Sequence, residues 1–471
     1  MSEIPEALIR GRRAGSPGDL ALRISTSRRV DLPLAEYDVA ASRAHVDELA
    51  RLGLISVNGL QALSTALEEV AAALTLGAFE WRDQYEDIHM NIEAAVSAAA
   101  GPELAGQLQA GRSRNEEIVT DERMWLRAAV GRLDGRLLSL QRSLVRRAAQ
   151  EVTTPLPAHT HTQPAQPVLL AHHLLAYVEM LERDRGRLAD GAARANRSPA
   201  GSGAAAGSGL PLDRETVATR LGFDGPTANS LDAVSDRDYA IELVATCAIA
   251  AGHLSRMCGE LVLWSTPYLG FVRLPDALSS GSSMLPNKRN PDPAELVRAR
   301  AARADGAVTT LLGLVRGLPL AYHRDFQESR GPMLDAVADL ELSIEVVDEL
   351  FAAVAFDREA MRVAATRGHG LAVGLAERLL AAGVPFRAAH RRVGELVATA
   401  DELGVDLAEL SDAELRGALP ELARSPTIIP TLDEALAAAD VVGGTAPHRV
   451  EAAMRAAAAR YAVELPTGAP A

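Results

Sequence analysis

The sequence predicts an all-α protein. Aromatic residues make up only 4% of its 471 residues, and runs of alternating β-branched residues are few, so strands have little support. Apolar residues instead recur at steps of four and three, as at Leu126, Val130, Leu133, Leu137 and Leu140. This spacing puts apolar side chains on one face of a helix and is typical of helices that pack along a seam.

Five such stripes predict five long helices that form a central bundle. They run through residues 126–144, 170–188, 240–261, 297–315 and 337–351. The bundle is predicted over residues 111–365, between an N-terminal helical domain at residues 1–110 and a C-terminal helical domain at residues 366–471. Because apolar residues such as Leu138 and Val145 lie beside the main seam, we expect bundles to pack together in a homo-oligomer.

Composition narrows the functional class. The apolar share of 48% is enough for a core, and the net charge of −14 argues against a general nucleic-acid-binding protein. Cys247 and Cys258 are about three turns apart on one predicted helix, too far for a disulfide, which fits a reducing cytosol. The first residues contain no signal-peptide core, and no later segment has the roughly eighteen uncharged apolar residues of a membrane span. We therefore expect a cytoplasmic protein that binds neither membranes nor nucleic acid.

The connection between the second and third stripes is unusually long. It covers residues 190–235 and includes the glycine-rich stretch "PAGSGAAAGSG". Such a stretch is too flexible for a helix and too long for an idle turn. We expect it to be either functional or disordered.

Five polar clusters lie at or near predicted helix starts. They are "EDIHMNIE" (86–93), "GRSRNEE" (111–117), "HTHTQPAQP" (159–167), "NSLDAVSDRD" (229–238) and "GSSMLPNKRNP" (281–291). Helix N-termini present unpaired N–H groups and a partial positive charge, which favour anions. Ser113, Arg114 and Asn115 add donors suited to a carboxylate, and Lys288 and Asn290 add more before the fourth long helix. Together these clusters predict a site for a polycarboxylate.

A simpler structural interpretation exists for individual clusters. Asp292, Pro293 and Glu295 have the form of an N-cap, a proline at the first helical position and an acidic residue two places later, so Glu295 would be half of a capping box. Residues 235–238 fit the same pattern. For either cluster alone, capping is the favoured interpretation. Capping does not require five clusters at the ends of bundle helices, and this favours function.

Closely spaced histidines raise the question of a metal site. They are His159, His161, His172 and His173. Cysteine or carboxylate ligands at suitable spacing do not accompany them, and prolines 157, 164 and 167 predict an irregular loop. Metal binding is therefore the less favoured interpretation.

With these clusters the sequence resembles the argininosuccinate lyase family, within the fumarase and aspartase superfamily. The mobile loop of that superfamily, G-S-S-x-x-P-x-K-x-N-P, matches Gly281 to Pro291. Further similar stretches follow in the family's order at residues 34–42, 86–95, 111–127, 160–167, 221–239, 317–329, 383–390 and 443–447. The resemblance covers nearly the whole chain and is very specific.

The resemblance implies a homotetramer with a twenty-helix core, in which three subunits build each active site. It also implies elimination of fumarate from an N-substituted aspartate, a small polycarboxylate, without a metal or organic cofactor. Such an elimination needs a base at Cβ, fixed positive charge at the neighbouring carboxylate and an acid for the departing nitrogen.

By resemblance, four residues form the catalytic group. Ser282 would act at Cβ, helped by Lys288, by backbone N–H groups and by exclusion of water when the loop closes. His161, oriented by Glu295, would exchange the other proton. Which of Ser282 and His161 is the acid and which the base in the forward direction stays open.

The remaining site residues are expected to bind substrate. Those matched to the succinyl carboxylates are Ser113, Asn115, Thr160 and Asn290. Those matched to the amino-acid half are Ser27, Arg114, Tyr322, Gln327 and Arg330. His89 is expected to line the pocket.

Some positions depart from the family pattern and leave the leaving amine open. Glu116 and Glu117 stand where Asp and Gln are usual, and Arg330 stands where a lysine is usual. Arginine and lysine differ in geometry, so this exchange is not neutral. The first hypothesis is release of arginine from argininosuccinate. The second is the same elimination from a different N-substituted aspartate, as in a lyase of ethylenediamine disuccinate or of secondary metabolism. The third is an inactive structural homologue of the delta-crystallin kind, which the retained catalytic group disfavours.

Overall fold

The protein is all-α, as predicted. The structure, a computed structural model, describes residues 18–465 and is 67% helical. Within these residues the strands form two small sheets of two strands each. By internal contacts the chain divides into two compact units. Unit 1 contains the described part of Met1–Asp134 with Arg185–Ile249 and Ala302–Glu341, and unit 2 contains Gly135–Asp184, Ala250–Ala301 and the described part of Leu342–Ala471. The predicted division at residues 110 and 365 stays a prediction.

Five long helices occur where the apolar stripes predict them. They are α7 (Arg114–Gln150), α8 (Leu170–Ala195), α11 (Asp238–Trp264), α12 (Asp292–Val315) and α13 (Arg330–Ala353). The α7 stripe is buried, since Leu126, Leu133, Leu137, Leu140 and Leu144 are at most 1% exposed. These buried leucines explain why α7 is stable as part of a bundle, because burial of an apolar face supplies most helical stability.

Helices α7 and α13 run in the same direction. In unit 1, Arg132 Nε donates to Glu341 at 2.8 Å, and in unit 2 Ser139 Oγ donates to Asp348 at 2.7 Å. Both contacts join residues that are 209 positions apart. The constant separation requires parallel helices.

Shorter helices precede and follow the five long ones. Before α7 come α1 (Asp19–Ser25), α2 (Arg28–Asp31), α3 (Ala35–Arg51), α4 (Val57–Thr75), α5 (Ile88–Ala100) and α6 (Pro102–Gly106). Between α8 and α11 lie α9 (Arg214–Arg220) and α10 (Ser230–Ser235). After α13 come α14 (Arg358–Ala364), α15 (Ala372–Ala381), α16 (Phe386–Leu403), α17 (Asp412–Ala418), α18 (Leu432–Ala438) and α19 (Pro447–Arg460). Short 3₁₀ helices cover Leu32–Leu34, Gln107–Gln109, Asp276–Leu278, Arg324–Ser329, Leu407–Glu409 and Pro420–Leu422.

The histidine cluster at residues 159–167 is part of a hairpin, so the predicted irregular loop is wrong. Strand β1 (Pro155–Thr160) pairs with β2 (Gln163–Leu169) in antiparallel register, and β3 (Val272–Arg273) pairs with β4 (Ala355–Phe356). Pro157 lies opposite Pro167. Each strand of a two-stranded sheet has one free edge, so a proline without an N–H can be accommodated there.

The long connection at residues 190–235 is partly helical. Helix α8 extends to Ala195, and α9 and α10 lie within the remainder. The two cysteines are free, as predicted, and both are buried. Among residues 18–465, α11 is the helix that is long and apolar enough to cross a membrane, yet half of its most apolar segment is buried inside the fold. Core helices of soluble proteins commonly have this composition.

Candidate functional site

In unit 1, the start of α7 carries three predicted substrate-binding residues. Ser113 precedes the helix, and its Oγ accepts a hydrogen bond from the Asn115 N–H at 3.3 Å. The Asn115 side-chain amide donates to the carbonyl oxygen of Ala204 at 3.2 Å. Ser113, Arg114 and Asn115 are half-buried. The turn therefore presents a hydroxyl and an amide at a helix N-terminus, where the helix dipole favours an anion.

Arg114 is engaged by carboxylates of the same unit. One of its guanidinium nitrogens donates to Asp87 at 2.8 Å, and another lies 3.6 Å from Glu93. Asp87 also caps α5, because its Oδ1 accepts from the Met90 N–H at 2.8 Å. Burial lowers the pKa of Arg114, but Asp87 and the other carboxylates outweigh it and raise that pKa overall. Arg114 thus fastens the start of α5 to the start of α7.

His89 lies in the interior, beside carboxylates that the sequence analysis did not single out. It is 5% exposed, and its Nδ1 is 3.2 Å from Asp38 and 4.0 Å from Asp121. Burial alone would lower the pKa of His89, but Asp38 and other carboxylates raise it to about 9. The pKa of Asp38 is lowered, since His89 and nearby arginines outweigh its burial. Burial and the Asp38 charge raise the pKa of Asp121 well above its usual value. The arrangement is an imidazolium–carboxylate pair beside a second carboxyl group whose pKa is raised.

These three residues also form the group that could hold a metal ion in the described part of the chain. The ligand atoms of Asp38, His89 and Asp121 lie within 4.8 Å of one another. Arg112 and Arg114 already act on Asp38 as positive charges. A cation would have to displace the His89 proton against these guanidinium groups, so the surroundings favour the ion pair over a metal.

Ser27 and Arg330, both predicted to contact the amino-acid half of the substrate, meet at Asp31. The Ser27 hydroxyl donates to Asp31 Oδ2 at 2.5 Å, and the Arg330 guanidinium lies 2.6 Å from Asp31 Oδ1. All three residues are buried. Burial raises the pKa of Asp31, and Arg330 and Ser27 only partly oppose this. A lone aspartate at the end of a four-residue helix gave no sequence signal for this role.

Glu122 joins a second arginine to the same buried region. Its carboxylate accepts a hydrogen bond from the Tyr239 hydroxyl and lies 3.7 Å from Arg237 and 3.9 Å from Arg330. Burial raises the pKa of half-buried Tyr322, whereas the charges of Arg330 and Arg237 lower it. Tyr322 is therefore close enough to these arginines to be influenced by their charge.

Gln327 occupies the same stretch as Tyr322. Its Oε1 is buried and has no hydrogen-bond partner among residues 18–465. A buried amide oxygen without a partner is costly, and a ligand donor would satisfy it. The structure thus places Ser27, Tyr322, Gln327 and Arg330 in unit 1, together with Glu122, Arg237 and Asp31, which sequence analysis did not assign to the site.

In unit 2, residues 281–289 form a loop that contains Ser282. Pairing of Ser280 with Asn290 closes the loop at its base, here called the neck, and residues 283–289 are exposed. Ser280 N donates to the carbonyl of Asn290 at 3.0 Å, and Asn290 N donates to the carbonyl of Ser280 at 2.8 Å. The Ser282 Oγ accepts from the N–H groups of Met284 at 3.3 Å and Leu285 at 3.0 Å. Lys288 is exposed, whereas Ser282 and Asn290 are half-buried. The fold therefore presents Ser282 with two N–H donors already directed at its oxygen.

His161 stands at the tip of the β1–β2 hairpin. Thr160 pairs with Gln163, so His161 and Thr162 are the two turn residues, with φ of 54° and 61°. A turn with two positive φ values is normally made by Asn and Gly, and a β-branched Thr is strained there. Strain of this kind is common at functional sites. Thr160 and His161 are exposed.

The predicted catalytic residues of unit 2 have few partners within the chain. Glu295, on the first turn of α12, has a side chain that is 47% exposed and 4.0 Å from Arg298. Asp292 accepts a hydrogen bond from the Ser280 hydroxyl. Over residues 18–465, no hydrogen bond or ion pair joins His161, Ser282, Lys288 and Glu295 to one another. A single chain thus leaves these four groups free of one another.

Comparison with known proteins defines the class. Residues 13–306 match the model of a lyase family, and residues 369–442 match the model of the argininosuccinate lyase C-terminal region. With the all-α fold, the chain is a lyase of the fumarase and aspartase superfamily. Argininosuccinate lyase from Hyphomonas neptunium is 44% identical over 441 residues, covering 93% of this chain and 95% of the relative. Argininosuccinate lyase from Halorhodospira halophila is 45% identical over 440 residues, covering 93% and 94%. The chain belongs to the argininosuccinate lyase family of carbon–nitrogen lyases.

Solved structures agree with this placement. The structure of EDDS lyase in complex with formate has a TM-score of 0.80 and 26% identity, covering 98% of this chain and 93% of that one. A class II fumarase from Schistosoma mansoni has a TM-score of 0.75 and 17% identity, covering 89% and 93%. The second likeness establishes a common fold.

Proposed function

We propose that this protein converts argininosuccinate to arginine and fumarate. The observation that carries the proposal is its nearly full-length likeness to proteins named argininosuccinate lyase. The hydroxyl, imidazole, amide and charged groups at the start of α7, at the β1–β2 turn and in and after the loop before α12 are of the kinds that such an elimination uses. The reaction removes a proton from Cβ of the succinyl group, forms the carbon–carbon double bond and breaks the bond to nitrogen, which takes up a proton.

Ser282 is proposed to act at Cβ. A serine hydroxyl is a weak base, so its alkoxide form must be stabilised. The N–H groups of Met284 and Leu285 already donate to its oxygen, and hydrogen bonds to a charged form favour that form. Lys288 would add positive charge when the loop closes over substrate and excludes water. The closed neck between Ser280 and Asn290 allows the tip to move as one piece.

His161 is proposed to exchange the second proton, with Glu295 as its orienting carboxylate. The imidazole of His161 is exposed at the hairpin tip, so it can reach a neighbouring subunit. The half-exposed carboxylate of Glu295 can likewise pair with a histidine of another subunit. Either assignment of acid and base to Ser282 and His161 satisfies the proton balance.

Substrate binding is proposed to divide between two groups of donors. Ser113, Asn115, Thr160 and Asn290 would hold the succinyl carboxylates with hydroxyl and amide groups. Ser27, Arg114, Tyr322, Gln327 and Arg330 would surround the amino-acid half, and His89 would support the pocket. The guanidinium group of argininosuccinate is cationic, so arginines near it must be neutralised. Asp31 and Glu122 supply that negative charge beside Arg330.

The proposed assembly is a cytoplasmic homotetramer with active sites shared between chains and with no cofactor. Large apolar side chains remain on the long helices, including Leu263 at 51%, Leu296 at 61% and Leu312 at 47% exposure. Packing helix against helix between copies would cover them.

The test is an assay of purified protein with argininosuccinate, in which fumarate is followed by its ultraviolet absorbance. Rapid release supports the proposal. Failure to release fumarate from argininosuccinate, together with release from ethylenediamine disuccinate, would contradict it and favour the activity named for the EDDS lyase relative. A folded tetramer without activity on either compound would point to an inactive homologue.

A further inference from the structure

The glycine-rich loop, residues 199–209, is folded against the start of α7. Asn115 donates to the Ala204 carbonyl at 3.2 Å, and the Ser230 hydroxyl donates to the Ala205 carbonyl at 2.9 Å. Within the loop, Gly207 N donates to the Ser202 carbonyl at 2.8 Å. These contacts lie in unit 1. The loop is thus a neighbour of the turn that carries Ser113 and Asn115.

Two glycines make this packing possible. Gly203 has φ of 59°, and a Cβ there would lie 2.4 Å from the Gly207 carbonyl oxygen. Gly111 has φ of 74°, and a Cβ there would lie 2.9 Å from side-chain atoms of both Leu210 and Ser208. A larger residue at position 203 would distort the fold of the loop itself, and one at position 111 would displace the side chains of Leu210 and Ser208.

The side chain beneath the loop is Glu116. It is 2% exposed, and its carboxylate accepts hydrogen bonds from the N–H groups of Gly203 and Gly201. Glu116 follows Asn115 directly on α7. One helical turn therefore carries both an acceptor for the loop backbone and a donor to the loop carbonyl.

Arg214 fixes the first residues of the loop. Its guanidinium donates to the Ala200 carbonyl at 2.8 Å, the Ser202 hydroxyl at 3.1 Å and the Thr227 hydroxyl at 2.9 Å. Glu116 raises the pKa of Arg214 through its charge, although burial of Arg214 is the larger effect and lowers that pKa. Arg214 holds the beginning of the loop, and the bond from the Gly203 N–H to Glu116 attaches the following residues of the loop to α7.

We propose that Glu116 is a positioning residue, which holds the glycine-rich loop on α7 so that the Asn115 amide is oriented for a substrate carboxylate. The proposal rests on the proposed function for the identity of the substrate. An amide side chain has free rotation about its last torsion, and its bond to the Ala204 carbonyl removes that freedom. Without Glu116 the N–H groups of the loop lose their acceptor, and Asn115 loses a fixed partner. Glu116 acts through Asn115 and makes no contact with the reacting atoms.

The buried surroundings of Glu116 raise the pKa of its carboxyl group. Burial raises the pKa of Glu116 to about 7, although Arg112 and the loop N–H groups oppose the change. The charged and titratable groups that line the adjoining cavity are His45, Glu48, Arg112, Glu117 and Arg214. The folded protein binds this proton more tightly than the unfolded chain, so the carboxyl group's contribution to folding stability is fully present below about pH 4.5 and is lost as pH rises through about 7.

The experiment compares Glu116→Ala, Glu116→Gln and the control Glu117→Gln by amide hydrogen exchange of the loop and by steady-state kinetics. Glu117 is a buried carboxylate one position further along α7 that pairs with Arg112. We expect faster exchange of residues 199–209 and a KM about tenfold higher, at little changed kcat, in Glu116→Ala. Glu116→Gln keeps an oxygen acceptor, so it should restore both values and remove the titration near pH 7 from the KM profile. Glu117→Gln should leave loop exchange unchanged.

The outcomes separate this proposal from the proposed function. If argininosuccinate is not a substrate, the exchange measurements still decide whether Glu116 holds the loop. Unchanged exchange in folded Glu116→Ala would overturn the proposal, as would a Glu116→Gln protein as loose as Glu116→Ala. If Glu116→Ala does not fold, Glu116→Gln carries the test, because it keeps an acceptor for the loop N–H groups and cannot ionise. Its KM should lose the titration near pH 7, and a KM profile that still titrates there as in wild type would overturn the proposal.

Discussion

The predicted site residues of unit 1 and unit 2 differ in burial and in the number of partners they have within the chain. In unit 1, His89, Arg114 and Arg330 are buried or half-buried and are held by the carboxylates of Asp38 and Asp87, among others. In unit 2, His161 lies at a hairpin turn, Ser282 lies in a loop, and Glu295 lies on the first turn of α12. Ser282 accepts hydrogen bonds from two backbone N–H groups, and Glu295 lies 4.0 Å from Arg298.

The difference separates two tasks. Groups that only bind a substrate benefit from being rigid, because side chains that are already ordered in the folded protein lose little conformational entropy on binding. Groups that transfer protons must approach the substrate and then release the product, so a mobile and lightly bonded tip suits them. We infer that unit 1 mainly binds and unit 2 mainly reacts.

The largest expected effect is the loss of Ser282. Ser282→Ala should lower kcat by about 10³-fold, since proton transfer by a positioned side chain contributes factors of about 10² to 10⁴. Its side chain lies near a loop tip, so Tm should be unchanged. Kinetics and thermal unfolding check both statements, with the exposed neighbour variant Ser283→Ala as the control. Near-normal turnover of Ser282→Ala would contradict the assignment of the reaction to unit 2.

The next effect concerns the stability of unit 1. Asp38→Asn should destabilise the fold by about 3–5 kcal/mol, because it leaves the His89 imidazolium buried without its partner. The pKa of His89 is raised to about 9, so the pair stabilises fully below about pH 6.5 and loses its contribution as pH rises through about 9. Chemical denaturation at pH 6 and pH 9.5 should therefore show a large difference from wild type at the lower pH and a smaller one at the higher pH.

A matched control for this prediction is the exposed pair of Arg43 and Glu68, which are 3.1 Å apart. Glu68→Gln should cost less than about 1 kcal/mol, since exposed pairs contribute little. Equal losses in Asp38→Asn and Glu68→Gln would show that the buried pair has no special weight.

A smaller loss of stability is expected when the residue that pairs with Asp31 is changed but its positive charge is kept. Arg330→Lys should cost about 1–3 kcal/mol of stability, because a lysine cannot reproduce the guanidinium geometry at a buried carboxylate. It should also raise KM more than it lowers kcat. Thermal unfolding and kinetics on the same preparation test this, and a more stable variant would contradict the role given to Asp31.

The smallest effect tests how chains combine. Mixed tetramers of Ser282→Ala and His161→Asn subunits should recover about a quarter of wild-type activity if each site takes these residues from different chains at random. The check is the activity of refolded mixtures whose composition is confirmed by mass. Mixed tetramers no more active than either parent would argue against shared sites.

Much of the fold could be predicted from the sequence, because the apolar stripes of the five long helices are regular. The hairpin was missed since its prolines hide a strand signal that depends on pairing between residues such as Pro157 and Pro167. The predicted loop containing Ser282 was visible because a dense polar motif precedes a helix.

Asp31, Asp38 and Glu122 could not be found in the same way. Each is one carboxylate in a helical stretch, where most carboxylates face solvent, and the sequence does not show which ones the fold buries beside arginines. The glycine-rich loop gave a signal of function or disorder, but its attachment to Glu116 depends on the backbone path.

The most direct test of the division between binding and reaction is a calorimetric titration of argininosuccinate into two proteins. One is Ser282→Ala, and the other is Ser282→Ala combined with Asn115→Ala. We predict that Ser282→Ala binds argininosuccinate with a Kd close to the wild-type KM, and that the added Asn115→Ala change weakens binding at least about tenfold, as expected for loss of a hydrogen bond to a charged group. Equal affinities in the two proteins, or no binding by Ser282→Ala alone, would contradict the division.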